Sequence, residues 1–174
     1  MSNKIRLYLV FFLIISIKNA YSENLAFIDM DQILSKSKIG IYINNEIEKK
    51  NNLSQKILKE MEEDLRSKDN KINSQKNILS DNELKKKIDE LNEDLKNYQK
   101  ITQESRNKIN SFQISATGKL LKNLKPILAE YSKDKNISII FQKKDLIIAK
   151  NSLNITKDII KILDQKVEKI DLDE

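Results

Sequence analysis

Two apolar series run through the middle of this 174-residue chain as mirror images about Leu79-Ser80-Asp81-Asn82-Glu83. The first is Leu58, Met61, Leu65, Lys68, Ile72, Gln75 and Leu79. The second is Leu84, Ile88, Leu91, Leu95, Tyr98, Thr102 and Ser105. Spacing that alternates three and four residues draws one stripe along a helix. Ser80, three residues before Glu83, makes a capping box. The hydroxyl accepts from one free amide while the carboxylate answers another, so a new helix starts there. A short link between long helices makes them antiparallel neighbours. Folded at this point, Leu79 meets Leu84, Ile72 meets Leu91 and Leu65 meets Tyr98. Lys68 then faces Leu95, Gln75 faces Ile88, Met61 faces Thr102 and Leu58 faces Ser105. A heptad seam alone fits a parallel dimer or trimer equally well; the mirror order favours a hairpin within one chain. The seam continues through Ile109, Phe112 and Ala116. Arms of about 40 residues each reach ~60 Å at the helical rise. The polar seam members predict a tip that bends or frays.

Composition agrees with long helices. Gly appears twice and Pro once, so the chain has few places to reverse direction. Charged residues make up 33% and aromatics 6%, which leaves little for a large globular core, yet a hydrophobic fraction of 39% is too high for disorder. The absence of Cys and His removes a lipid-modified cysteine, a thiolate nucleophile, a cysteine zinc site and the commonest acid–base group at neutral pH. No phosphate loop, dinucleotide fingerprint or metal-ligand spacing is present. The carboxylates sit at helical solvent spacing. The reading is a non-enzyme without cofactor.

Residues 1–22 read as a cleaved secretory signal. Lys4 and Arg6 form the positive start, Leu7 to Ile17 is an eleven-residue apolar run, and Ala20-Tyr21-Ser22 places the cut before Glu23. As a membrane anchor the run would reach only ~16 Å, about half a bilayer core. Cleavage removes three basic residues, Lys4, Arg6 and Lys18, leaving 29 basic against 26 acidic and a charge of +3. The basicity of the whole chain is then partly an export feature, and nucleic acid is disfavoured.

The two ends form a body, residues 23–40 and 119–174, that carries the arm, 41–118, with its turn near 79–83. Leu25-Ala26-Phe27-Ile28 suits a buried strand, and Asp31 can cap a short helix with Ile33 and Leu34. Leu120, Leu121, Leu124, Ile127, Leu128 and Tyr131 make a helical stripe that Pro126 kinks or restarts. Ile137 to Phe141 and Asp145 to Ala149 are strand candidates, joined by Gln142-Lys143-Lys144 as a hairpin. Asn154 can cap a last helix bearing Ile155, Ile159, Ile162 or Leu163, and Val167. Three short strands, apolar on both faces, are marginal alone. Joining the sheets of several subunits would bury Leu25, Phe27, Ile139, Phe141 and Ile147, read here as body and oligomer core. Gly40 and Gly118 are hinge candidates at the foot of the arms; the alternatives are a helix terminus at Gly40 and close packing at Gly118.

The pattern resembles the Skp/OmpH family of periplasmic chaperones. It covers the chain after the signal: strand Leu25 to Ile28, Asp29-Met30 into a short helix, the charged hairpin, Ile137 to Ala149, then Asn154-Ile155-Thr156-Lys157-Asp158-Ile159 opening the last helix. The order of these elements carries the resemblance. It implies a mostly α chain with a small β part, a homotrimer with a β-containing body, and helical arms around a cavity. It also implies a periplasmic holdase that binds unfolded outer-membrane β-barrel proteins without ATP. The resemblance also implies a membrane lipid or lipopolysaccharide surface as a partner, through a basic site on the arms that has no residue-by-residue match here. Lys85, Lys86 and Lys87 near the tip, with Lys49 and Lys50 near the base, are candidates for recruiting acidic clients by long-range steering. The plainer reading of these lysines is a solvated helix face. The rival function is a coiled-coil spacer or scaffold of the envelope, which would have no need of the β-containing body.

Overall fold

The structure, a computed structural model, describes residues 23–172; the signal segment read in the sequence lies outside them. Strand β1 (Asn24–Ile28) leads into helix α1 (Met30–Lys36), and a sharp turn at Ser37 starts α2 (Lys38–Gln75). Helix α3 (Asp81–Asp134) returns along α2 and passes into strand β2 (Ile137–Gln142). Two single 3₁₀ turns, Lys143–Asp145 and Asn151–Leu153, precede helix α4 (Thr156–Lys166). Among the described residues no helix is long and apolar enough to cross a membrane.

Local chemistry sets each boundary. Ser80 caps α3 in a complete capping box: the Ser80 N–H donates to Glu83 Oε2 at 3.0 Å and the Glu83 N–H donates to Ser80 Oγ at 3.4 Å. The Ser80 hydroxyl, which donates to the same Oε2 at 2.6 Å, and then the Ser80 N–H hold the Glu83 carboxyl below its ordinary range. Asn136, in the left-handed region with φ 51°, stops the chain beyond α3 and turns it into β2. Asn tolerates this conformation because its short amide bonds locally. Asp29, rather than the expected Asp31, caps α1: Oδ1 accepts from the Gln32 N–H at 3.1 Å. Both acids flank Met30, and only Asp29 sits one residue before the first helical position. Pro126 neither kinks the chain into a new helix nor ends α3. It removes one N–H from the ladder, while Leu124 and Ile127, both buried, hold the helix against the core on either side.

Ser37 is fully buried between α1 and α2. Its Oγ accepts from the Gly40 N–H at 3.0 Å and donates to the Ile33 carbonyl at 2.7 Å. The turn is so tight that a Cβ on Gly40 would lie 2.3 Å from the Leu34 carbonyl oxygen and 2.6 Å from that of Ile33. Gly40 is therefore required by close backbone approach at the start of α2. Gly118 is the reverse: a Cβ there would meet nothing within 4 Å, so close packing does not explain it.

The strand arrangement departs from expectation. β1 pairs with β2 in parallel, Leu25 opposite Ile139 and Phe27 opposite Phe141, and the whole arm serves as their crossover. Beyond Gln142 the chain leaves the sheet. Asp145 to Ala149 is not a strand, and Ile147 and Ile148 are fully open to solvent. The expected hairpin is absent because Lys143 turns away to reach Asp29, which ends β2, while the last turn of the body returns to β1 through a Phe27–Asn154 bridge. Ala26 and Ile28 of β1 face a core built from Ile33, Ile39, Ile43, Leu120, Leu124, Ile159 and Leu163, so both arm roots and α4 share one apolar cluster.

Candidate functional site

The arm is a narrow zip of two helices. Of the seam residues read in the sequence, Leu65 is buried; Leu58, Met61, Ile72, Leu79, Leu84, Leu91 and Tyr98 are partly buried. Ile88 and Leu95 are exposed, at 41% and 40%. Lys87 and Asp94 take the less exposed positions beside them. The cause is visible at Lys68. Its ammonium bonds Asp94 across the arm at 2.8 Å and Asp64 on its own helix at 2.8 Å, instead of lying on Leu95. The two carboxylates raise the Lys68 pKa, chiefly through the bond to Asp64. Leu95 instead lines a shallow groove with Leu65, Leu91 and Tyr98.

A groove of about 840 Å³ lies between α2 and α3, lined by Tyr42, Leu53, Ile57, Ile109, Phe112 and, from beyond α4, Leu172. Leu53 is 62% exposed and Ile57 43%. Lys50 Nζ sits 4.5 Å above the Phe112 ring, where the ring's negative face attracts a cation. Lys49 is ion-paired to Glu46, which raises its pKa. Both basal lysines are thus engaged within the arm. At the tip Lys85 and Lys86 are exposed, Lys86 lies 4.0 Å from Glu90, and Lys87 is partly buried. Tyr42, Leu53 and Ile57 were missed because they lie outside the mirrored series, although Leu53 and Ile57 are themselves four residues apart, a helical spacing.

The body presents a second apolar surface. Leu25, Ile139 and Phe141 are 41%, 45% and 38% exposed, and Ile147 is fully exposed; of the five expected core residues, Phe27 alone is buried. The reason is geometric. Helices cover one face of the two-stranded sheet, and residues alternate across it. On the other face Phe27 is sheltered by the segment that bridges to it at Asn154.

Between these surfaces a polar node ties the two ends of the chain together. The Asp29 N–H donates to Thr156 Oγ1 at 2.8 Å, and Thr156 Oγ1 donates to Asn154 Oδ1 at 2.5 Å. Asn154 Oδ1 also accepts from the Thr156 N–H at 3.0 Å, so Asn154 supports the start of α4 while Ile155 holds the cap position. Lys143 Nζ donates to Asp29 Oδ2 at 2.7 Å. Lys143 and Gln32 together bring the Asp29 carboxyl down to about 2, with Lys143 the larger influence. Tyr131 donates to Asp158 at 2.8 Å, and burial, with that bond, pushes its hydroxyl up to about 12. Among the described residues no group of acidic side chains is placed to hold a metal ion. The chemistry on offer is apolar contact and long-range charge.

The sequence matches a family described as outer membrane protein (OmpH-like) over residues 24–163. No curated protein matches the chain. Among solved structures it is similar to one described as an OmpH-like candidate outer membrane chaperone from Caulobacter crescentus CB15. The TM-score is 0.75 at 12% identity, covering 90% of this chain and 92% of that one. At such identity the likeness is one of fold, and it is the family match over residues 24–163 that assigns membership: the chain belongs to the OmpH-like outer membrane protein family.

Proposed function

We propose that this chain is an ATP-independent holdase that shields unfolded outer-membrane β-barrel proteins in a space enclosed by the arms of several copies. The observation that supports it is the arm itself. At ~1.5 Å per residue, α2 and α3 form a pair of helices roughly 55 Å and 80 Å long. They are zipped by a thin seam and leave Leu53, Ile57, Ile88 and Leu95 partly in water. Such a surface offers many weak apolar contacts without one demanded shape. That suits a client which must be held and later released.

The enclosure requires more than one copy. The open sheet face at Leu25, Ile139 and Phe141, with Ile147 and Ile148 beside it in sequence, is an apolar patch of the kind that marks association. Three copies joined there would set three arms around one cavity. An envelope spacer would share the arm but would have no use for this face. Exposed Lys85 and Lys86 at the tip add positive charge that steers acidic clients, an effect that salt weakens.

The test is aggregation. A urea-unfolded barrel protein diluted into buffer without nucleotide should stay soluble in the presence of the chain and scatter light in its absence. Equal scattering in both would end the holdase reading.

A further inference from the structure

We propose that Lys68, Asp94 and Asp64 form a salt-sensitive clasp that fastens the outer part of the arm, so that ionic strength sets how far the two helices part from the tip inward. The clasp is a property of the arm itself; what it offers a client rests on the holdase reading.

The three charges stand at a boundary. Toward the root, Leu65 is buried in the seam, and Ile43, Phe112 and Ala116 are buried at its foot. Outward, across residues 69–93, no residue is buried. Ile72, Leu79, Leu84 and Leu91 are only partly so, and Ile78 is 85% exposed. The apolar seam alone therefore holds this stretch weakly. Lys68 occupies a seam position at its inner end. Its ammonium reaches Asp94 on α3 at 2.8 Å and Asp64 on α2 at 2.8 Å. The other ion pairs of the arm, Lys49–Glu46, Lys59–Glu63, Lys86–Glu90 and Lys100–Glu104, each stay on one helix and cannot tie the two together.

Screening decides what such a link can do. The Lys68 and Asp94 side chains are 43% and 42% exposed and Asp64 is 60% exposed, so water and ions reach all three. The screening length falls from about 10 Å at about 0.1 M salt to about 3 Å at about 1 M, whereas apolar burial carries no charge to screen. Sodium chloride should thus loosen the outer arm and spare the root. Parting there bares Leu91 and Leu95, which line a groove with Leu65 and Tyr98, and enlarges the apolar surface open to a client.

Amide exchange along the arm is measured on the whole chain at about 0.05 M and about 0.5 M sodium chloride, with residues 38–60 as the internal reference. In the wild type, exchange across residues 69–93 should rise about two- to fivefold at the higher salt, the range of an exposed ion pair. Lys68→Gln and Asp94→Asn each break the crossing bond while changing net charge in opposite directions. Both should show the faster outer exchange already at low salt and little further rise, with helix content by circular dichroism retained. A wild-type outer arm that ignores salt, or variants that keep the wild-type response, overturns the clasp. A salt response equal at the root and in the outer arm does the same. For the client, a urea-unfolded barrel protein is diluted into the chain at the lower salt. There both variants should suppress scattering at a lower chain concentration than the wild type. Equal suppression by all three defeats the gain of client surface. A wild-type chain that suppresses nothing defeats the holdase reading, and the exchange results still decide the clasp.

Discussion

Two glycines show how much a single hydrogen in place of a side chain can decide. At Gly40 an added methyl meets the carbonyl oxygens of Leu34 and Ile33, both backbone, with Leu34 further fixed because its carbonyl accepts from Asn44 Nδ2 at 3.0 Å. Gly40→Ala should therefore cost at least about 2 kcal/mol, in the range of overpacked cores. At Gly118, exposed and helical with open space around it, Ala should instead add up to about 1 kcal/mol through helix propensity. Urea unfolding of the two variants should show midpoints moving in opposite directions. Asp29 adds a pH dependence. Its folded pKa, about 2, lies below the ordinary 3.8, so its contribution to stability is complete above about pH 4 and is lost as pH falls toward 2. Asp29→Asn should flatten the stability-versus-pH curve in that window and lower the plateau above it. A curve unchanged in shape would show that Lys143 and Gln32 do not hold this carboxylate.

At the scale of elements, the arm depends on its cap and its thin seam. Ser80→Ala should cost about 1 kcal/mol, the usual value of a lost N-cap, and should raise amide exchange first around residues 76–84. In the wild type, protection should fall from the buried roots at Ile43, Phe112 and Ala116 toward the tip, where Ile78 is 85% exposed. Uniform protection along α2 and α3 would contradict this gradient. The hairpin was legible in the sequence because its signals are local: a capping box spans four residues and a 3–4 stripe needs only its own helix. The sheet was less legible. Ile137 to Phe141 and Asp145 to Ala149 are equally apolar, and nothing nearby says that β2 pairs in parallel with residues over a hundred positions earlier. The seam was read to within one residue. Lys68 was placed against Leu95, yet its ammonium goes to the neighbouring Asp94 and to Asp64 on its own helix, an ion-pair choice that the apolar stripe does not encode. The arm-root groove was not read at all, because Tyr42, Leu53 and Ile57, which line it, lie outside the mirrored series.

For the whole molecule, the exposed outer face of the two-stranded sheet is the surface on which association is proposed. Ile139→Asp combined with Phe141→Asp places two charges on that face without touching the cluster of Ile33, Leu120, Leu124 and Leu163. Light scattering should give the wild-type chain a mass that is a multiple of one subunit and the double variant the mass of a single one, with helicity retained. A multiple that survives both charges would move the association to another surface.

The parallel ladder also dictates an order of events. β1 stands at the front of the described chain, yet its partners, β2 and Asn154, are the last portions made before α4. A nascent chain can close its hairpin as soon as residue 120 or so has emerged, because those contacts are near in sequence and such contacts form fast. The body has to wait. Until the final quarter arrives, Ala26, Phe27 and Ile28 have no partner strand, and premature release at that stage would leave a finished arm tied to an unfinished base.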